Sequence, residues 1–152
     1  MNVIESVRGD FFISTDKKKL DIPLIHSFLT AEAGWCDGIP YDTVKNSIEN
    51  SLNFGLYKKE NQIGFARIIS DYATIAYLGD VFIFKDYRGL GLSKWLMDEI
   101  IGHPNLQGLR RWILLTSTAE WLYQKYGFVR LPNPDIYMER HNPDVYKASE
   151  KR

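Results

Sequence analysis

The sequence predicts one α/β domain of the layered α+β kind, a central sheet with helices packed against it. Its length of 152 residues is that of a single domain, and folding at that size hides roughly 70% of the surface the unfolded chain exposes. Apolar residues make up 45% of the chain, aromatics 14% and charged residues 25%, a mixture too hydrophobic for a disordered chain. Hydrophobic periodicity gives the order β, two helices, three strands, α, β, α, β, with no repeat or Ser/Gly-rich linker to divide it. The domain is set at residues 1–141, and the polar residues 142–152 are read as a C-terminal tail.

The elements follow in order. A first strand is expected at residues 11–15. Asp21-Ile22-Pro23 is a helix start, with Asp21 as cap and proline in the first turn, and Ile25, Phe28 and Leu29 recur at helical spacing until Gly34 stops the pattern. A second helix is signalled by Asp42 or Thr43 as cap and by the stripe Val44, Ile48 and Leu52. Residues 54–58 and 63–70 are strand-like runs joined by the turn Lys59-Glu60-Asn61-Gln62, and residues 73–84 form a longer strand. Gly89 and Gly91 lead into an amphipathic helix carrying Leu92, Trp95, Leu96 and Ile100, which His103-Pro104 terminates. A short strand at 111–115 precedes the capping-box pattern Ser117-Thr118-Ala119-Glu120, whose helix runs through Tyr126 and stops at Gly127. Closing strands are expected at 128–131 and 136–139.

Charge and cysteine content exclude several classes. Nineteen basic and nineteen acidic residues balance, so no global field draws in nucleic acid or an anionic membrane. The single cysteine, Cys36, has no internal disulfide partner, and with three scattered histidines it offers no metal-ligand spacing. No run approaches the ~18 apolar residues of a membrane span, and Glu5, Arg8 and Asp10 stand where a signal peptide is apolar. A cytoplasmic protein is expected.

One segment concentrates the signals of an anion site. After the strand bearing Asp80, Val81, Phe82, Ile83 and Phe84 comes Lys85-Asp86-Tyr87 and then Arg88-Gly89-Leu90-Gly91-Leu92-Ser93-Lys94. Glycines allow positive φ and close backbone approach, the helix start adds its partial positive charge, and Arg88 and Lys94 add formal charge. A Rossmann fingerprint needs a small residue where Lys94 stands, and a Walker A loop needs four residues between its glycines. Neither fits.

Arg88-Gly89-Leu90-Gly91-Leu92-Ser93 instead resembles the Arg/Gln-x-x-Gly-x-Gly/Ala signature of the GNAT superfamily of acyl-CoA-dependent N-acyltransferases, with Ser93 in place of the usual Gly or Ala. Ala119-Glu120-Trp121-Leu122-Tyr123-Gln124-Lys125-Tyr126-Gly127-Phe128 is similar to that family's Ala-x-x-Leu-Tyr-x-Lys-x-Gly-Phe helix, one strand after the glycine turn. Pro23 to Leu29, Trp35, Gly38-Ile39-Pro40 and Gly64-Phe65-Ala66-Arg67 extend the resemblance to small single-domain members over most of residues 10–140.

The resemblance implies a mixed, mostly antiparallel central sheet flanked by helices and an N-acetyltransferase that moves acetyl from acetyl-CoA directly to a primary amine. The acceptor is then a small molecule or an exposed peptide amine, with no nucleic acid, membrane or metal involved and a homodimer allowed. The alternative is a catalytically inactive CoA-binding or regulatory module of the same fold. Tyr123 inherits the role of proton donor to the departing thiolate, which a phenol near pKa ~10 can fill for a thiol near ~8.5. Asp80 is either the group that takes the ammonium proton or a strand-end carboxylate that caps a turn or pairs with Arg67; Glu32, Asp71 and Glu139 are weaker competitors. Phe82 and Ile83 are expected to meet the pantetheine arm through their backbone, the turn from Arg88 to Lys94 to hold the pyrophosphate, and Thr116 to stand where relatives carry a cofactor-touching asparagine. Trp35 and Tyr41, flanking a Gly/Pro loop, are expected pocket walls.

Overall fold

The computed structural model describes residues 1–150, and side chains through Lys147. Six strands form one sheet in chain order: β1 (Glu5–Arg8), β2 (Phe11–Ser14), β3 (Leu52–Lys58), β4 (Asn61–Ser70), β5 (Ile75–Ile83) and β6 (Arg111–Leu114). The first four junctions are antiparallel and β5–β6 is parallel, so the sheet is mixed and mostly antiparallel, as the family resemblance implied. The parallel junction needs a crossover, which α3 (Leu92–Ile101) provides.

Period-2 alternation sends adjacent residues to opposite faces, and each face has its own helices. On one face α3 buries Leu92, Trp95, Leu96 and Ile100 against Phe54, Ala66, Ile68, Leu78 and Ile83. On the other, α1 (Ile22–Ala31) and α2 (Tyr41–Glu49) lay Ile25, Phe28, Leu29, Val44 and Ile48 over Phe65 and Phe82. Phe28 stacks on Phe82 with centroids 3.9 Å apart. Neighbours on β5, Phe82 and Ile83 thus fasten the strand from both sides at the end that carries the site.

Asp21 caps α1 as expected, accepting from the Leu24 N–H at 3.1 Å. The start of α2 differs: it begins at Tyr41 after an extended Pro40, and Asp42 lies inside its first turn rather than at the cap. The capping box before α4 (Glu120–Gln124) does not form. Ala119 is the N-cap with no side-chain bond, and its own N–H donates to Thr116 Oγ1 at 3.0 Å.

β1 has no apolar periodicity to announce it in the sequence, because its four residues are mostly exposed. The closing strands expected at 128–131 and 136–139 do not form; Pro132 and Pro134 remove two ladder donors between them, and the segment holds only a 3₁₀ turn at Pro134–Ile136. Val129 and Met138 accordingly stand 76% and 98% exposed. In the segment read as a polar tail, α5 (Val145–Glu150) forms, and Tyr146 packs against the α1–α2 core; residues 151–152 of that segment lie outside the described residues. Among the described residues no helix is long and apolar enough to cross a membrane, and no cluster of His, Cys, Asp and Glu could hold a metal ion.

Candidate active site

The site is built where β5 parts from β6. Their last paired residues are Leu78 and Leu114, yet β5 continues to Ile83 with Phe82 opposite Phe65 and Ile83 opposite Gly64 on β4. Residues 79–83 therefore have a sheet neighbour on one side only, and the wedge beside them exposes backbone that an extended polar chain can pair with.

The strand is also distorted at this point. Between the pairs Phe65–Phe82 and Arg67–Gly79, Asp80 and Val81 oppose the single residue Ala66, which is a β-bulge. Asp80 takes the left-handed conformation, φ +52°, which aspartate tolerates better than most side chains. The bulge re-aims its carboxylate. Asp80 Oδ2 accepts from Arg67 Nε at 2.7 Å, and Oδ1 accepts from Trp35 Nε1 at 3.4 Å. Arg67 Nη1 donates in turn to Ser51 Oγ at 3.1 Å, and that hydroxyl donates to the Ser47 carbonyl at 2.6 Å. The Arg67 and Asp80 side chains are 16% and 14% exposed, too sheltered for a solvent-screened surface pair.

A cavity of about 560 Å³ lies against this network, lined by Trp35, Arg67, Tyr77, residues 78–81, residues 114–119 and Tyr123. It joins groups separated by up to 88 positions in the sequence, Trp35 to Tyr123. Tyr123 comes from α4, packs edge-on against Phe128 at 5.9 Å and is buried. Burial raises its phenol above the usual tyrosine range, so the proton stays on the oxygen at neutral pH. Tyr126, one turn on, donates its hydroxyl to Asp98 Oδ1 at 2.7 Å and ties α4 to α3.

Adjoining the wedge is the glycine turn. A 3₁₀ turn at Lys85–Tyr87 follows β5, and Arg88 Nε donates back to the Ile83 carbonyl at 2.9 Å, fixing the turn to the strand end. Gly91 is the N-cap of α3 with φ +77°, a conformation strained for any residue with a Cβ. No side chain caps this helix, and a Cβ at Gly91 would meet nothing within 4 Å. The first-turn N–H groups at Leu92, Ser93 and Lys94 thus carry no side-chain cap, and Lys85 and Lys94, before and after the glycine turn, are exposed, an arrangement suited to a phosphate group.

The structure thus brings Asp80, Trp35, Thr116 and Tyr123 to one cavity, with Phe82 and Ile83 on the adjoining strand and residues 88–94 at its end. Asp80 pairs with Arg67, one of the two expectations for it, and it also lines the cavity. Leu92 is buried in the core, so only its backbone can face a ligand. Thr116 is engaged by the α4 turn through Oγ1 while lining the cavity. Tyr41 is not brought to it: its ring sits edge-on to His26 at 5.5 Å, and His26 Nε2 donates to the Ile39 carbonyl at 2.8 Å. Asp71 is consumed at the far end of β4, accepting from the N–H groups of Ala73, Thr74 and Ile75, and neither Glu32 nor Glu139 lines the cavity. Sequence reasoning did not single out Tyr77 as a pocket wall, and it saw Arg67 only as a partner for Asp80; both line the cavity. Cys36 donates to the Leu29 carbonyl, and burial pushes its thiol up to about 12, so it is no nucleophile at neutral pH.

A bulged strand splayed from its parallel neighbour, followed by an uncapped glycine-led helix, defines an acyltransferase fold of the GNAT type. Residues 49–130 match the family model described as an acetyltransferase (GNAT) domain. The crystal structure of a provisionally assigned GNAT acetyltransferase from Xanthomonas campestris pv. campestris is 49% identical, with a TM-score of 0.87 over 90% of this chain and 96% of that one. A Gibberella zeae protein, provisionally assigned as an acetyltransferase, is 32% identical over 140 residues, 78% of each chain. A Clostridium acetobutylicum chain of provisional acetyltransferase assignment, solved with acetyl-CoA, shares the fold at 18% identity, with a TM-score of 0.63 over 92% of this chain and 95% of that one. The chain belongs to the GNAT acetyltransferase family.

Proposed function

We propose that this protein transfers the acetyl group of acetyl-CoA to a primary amine. The observation that carries the reading is the single cavity in which the Asp80 carboxylate, paired with Arg67, and the buried phenol of Tyr123 share the space beside the one-sided strand at 79–83. Family membership supplies the reaction class, and the residues present fit the cosubstrate. The one-sided backbone near Phe82 and Ile83 suits the amides of a pantetheine arm, and the open N-terminus of α3 with Arg88 and Lys94 suits a pyrophosphate. Acetyl-CoA supplies an acyl group already activated as a thioester.

The protein's own groups then have separable tasks. Asp80 attracts the ammonium form of the acceptor and passes its proton toward solvent, which leaves the nitrogen lone pair free. Tyr123 hands its proton to the sulfur as the C–S bond breaks. Trp35 and Arg67 hold Asp80 in place by its two oxygens. Because the bulge and the wedge share one strand, both reactants meet at residues 79–83, the geometry for direct attack in a ternary complex.

Acetyl-CoA affinity measured by calorimetry, followed by CoA release across a panel of primary amines, hydroxyl compounds and carboxylates, tests the reading. Saturable acetyl-CoA binding with amine-dependent release is expected. Binding with no release for any amine would favour an inactive CoA-binding module instead.

A further inference from the structure

We propose that the acceptor is a free α-amino acid with an apolar side chain, and that Arg67 recognises its carboxylate. The proposal rests on the amine-acetylation reading above and narrows it to one substrate class. Its starting point is charge. Arg67 and Asp80 are the two charged residues lining the 560 Å³ cavity, and they lie against each other at 2.7 Å. A cavity with one positive and one negative group is neutral. A purely cationic amine would leave one uncompensated charge in a sheltered space, which is costly. A zwitterion adds no net charge.

The hydrogen-bonding capacity points the same way. A guanidinium has five N–H donors. Arg67 commits Nε to Asp80 and Nη1 to Ser51 Oγ, while Nη2 has no partner among the described residues. Asp80 accepts one bond on each oxygen, and a carboxylate oxygen takes about two, so each retains a place for an ammonium N–H. A free donor edge and a free acceptor edge side by side match the adjacent charges of an α-amino acid. They do not match amines whose second charge lies many bonds away. The anchoring of Arg67 through Ser51 to the Ser47 carbonyl at the end of α2 fixes the donor edge before any ligand arrives.

The remaining wall selects the side chain. Trp35, Tyr77 and Leu115 line the same cavity as the charged pair, and Trp35 and Leu115 stay 57% and 76% exposed, ready to bury an apolar group. In the reaction the α-nitrogen, freed of one proton through Asp80, forms the C–N bond to the acetyl carbon. The C–S bond breaks, the sulfur takes the Tyr123 proton, the new amide nitrogen loses its second proton to solvent, and solvent returns a proton to Tyr123. The products are CoA and an N-acetyl amino acid, which has lost the positive charge facing Asp80 and so is bound less well than the substrate.

The experiment compares leucine and phenylalanine with their carboxamides and with the matching decarboxylated amines, using acetyl-CoA and the full chain. The carboxamide is the stricter control, because its amine is less basic and would be favoured on nucleophile availability alone. The expected result is kcat/KM higher for the amino acid by roughly 100-fold or more, the discrimination a site shows when loss of a ligand group strands its buried polar partner. In Arg67→Lys the preference should collapse toward unity with acetyl-CoA affinity unchanged. Binding of leucine and leucinamide to the CoA complex, read by ligand-observed NMR, gives the same comparison without turnover. Equal or better kcat/KM for the carboxamide, or no binding of either amino acid, overturns the proposal. If other amines are acetylated, only this assignment fails; if none is acetylated, the amine-acetylation reading fails with it.

Discussion

Replacing Tyr123 by phenylalanine removes one oxygen and leaves the ring that packs edge-on against Phe128. No protein group hydrogen-bonds the Tyr123 hydroxyl among the described residues, so the change strands no partner, and its cost to stability should be no more than about 1 kcal/mol. The rate should respond quite differently. If the hydroxyl protonates the leaving sulfur, its loss removes a transition-state interaction on the order of 10²- to 10⁴-fold, equivalent to about 2.7 to 5.4 kcal/mol of barrier. Acetyl-CoA affinity should change little, because the proton moves only as the thioester opens. The assay is single-turnover CoA release with saturating amine, run beside a thermal melt and an acetyl-CoA titration. Because burial raises the Tyr123 pKa, phenol ionisation should not lower wild-type activity in the pH range where an ordinary tyrosine titrates. An unchanged single-turnover rate in a folded variant would reduce Tyr123 to a packing residue.

Gly91→Val should fold with a penalty of about 1–2 kcal/mol from its positive φ yet lose most acetyl-CoA affinity in calorimetry, because its side chain projects into the open space at the α3 N-terminus. Gly64→Ala would place a Cβ 2.9 Å from the Phe82 carbonyl oxygen; a loss of about 1–3 kcal/mol in denaturant unfolding is expected from overpacking, together with weaker acetyl-CoA binding as β5 is pushed outward. His103 is buried, its Nδ1 accepts from the Asn105 N–H, and its proton therefore sits on an unpartnered Nε2. Burial lowers its pKa, so as pH falls below about 6.5 the unfolded chain takes up a proton that the folded chain refuses, and stability drops until the folded-state pKa is reached. Unfolding midpoints from pH 7.5 to 5 should show this slope and lose it in His103→Gln. The carboxylates with lowered pKa, Glu5, Asp71 and Glu120, lose their contributions separately, below about pH 4.5.

Local physics made much of this protein legible in its sequence. The α1 start follows from Asp21 and Pro23, because a cap and a fixed φ act within one turn, and the α3 turn follows from Gly89 and Gly91, because positive φ is a property of single residues. The motif around Tyr123 was readable for the same reason, since its helix and its Gly127 stop are set by neighbours in the chain. What the sequence left open involved partners distant along it. The capping-box pattern at 117–120 went unused because the turn satisfied the Ala119 N–H with Thr116 instead, and the strands expected at 128–131 and 136–139 found no ladder across the two prolines between them. Tyr41 looked like a pocket wall from its loop, but α2 turned it toward His26. Asp80 shows the division most clearly. Its place on the strand was plain, but its left-handed backbone, its pairing with Arg67 and its contact with Trp35 arise only when β4 offers one residue, Ala66, opposite two on β5. Register between strands is a property of the whole sheet, and that register put the carboxylate and the phenol in one cavity.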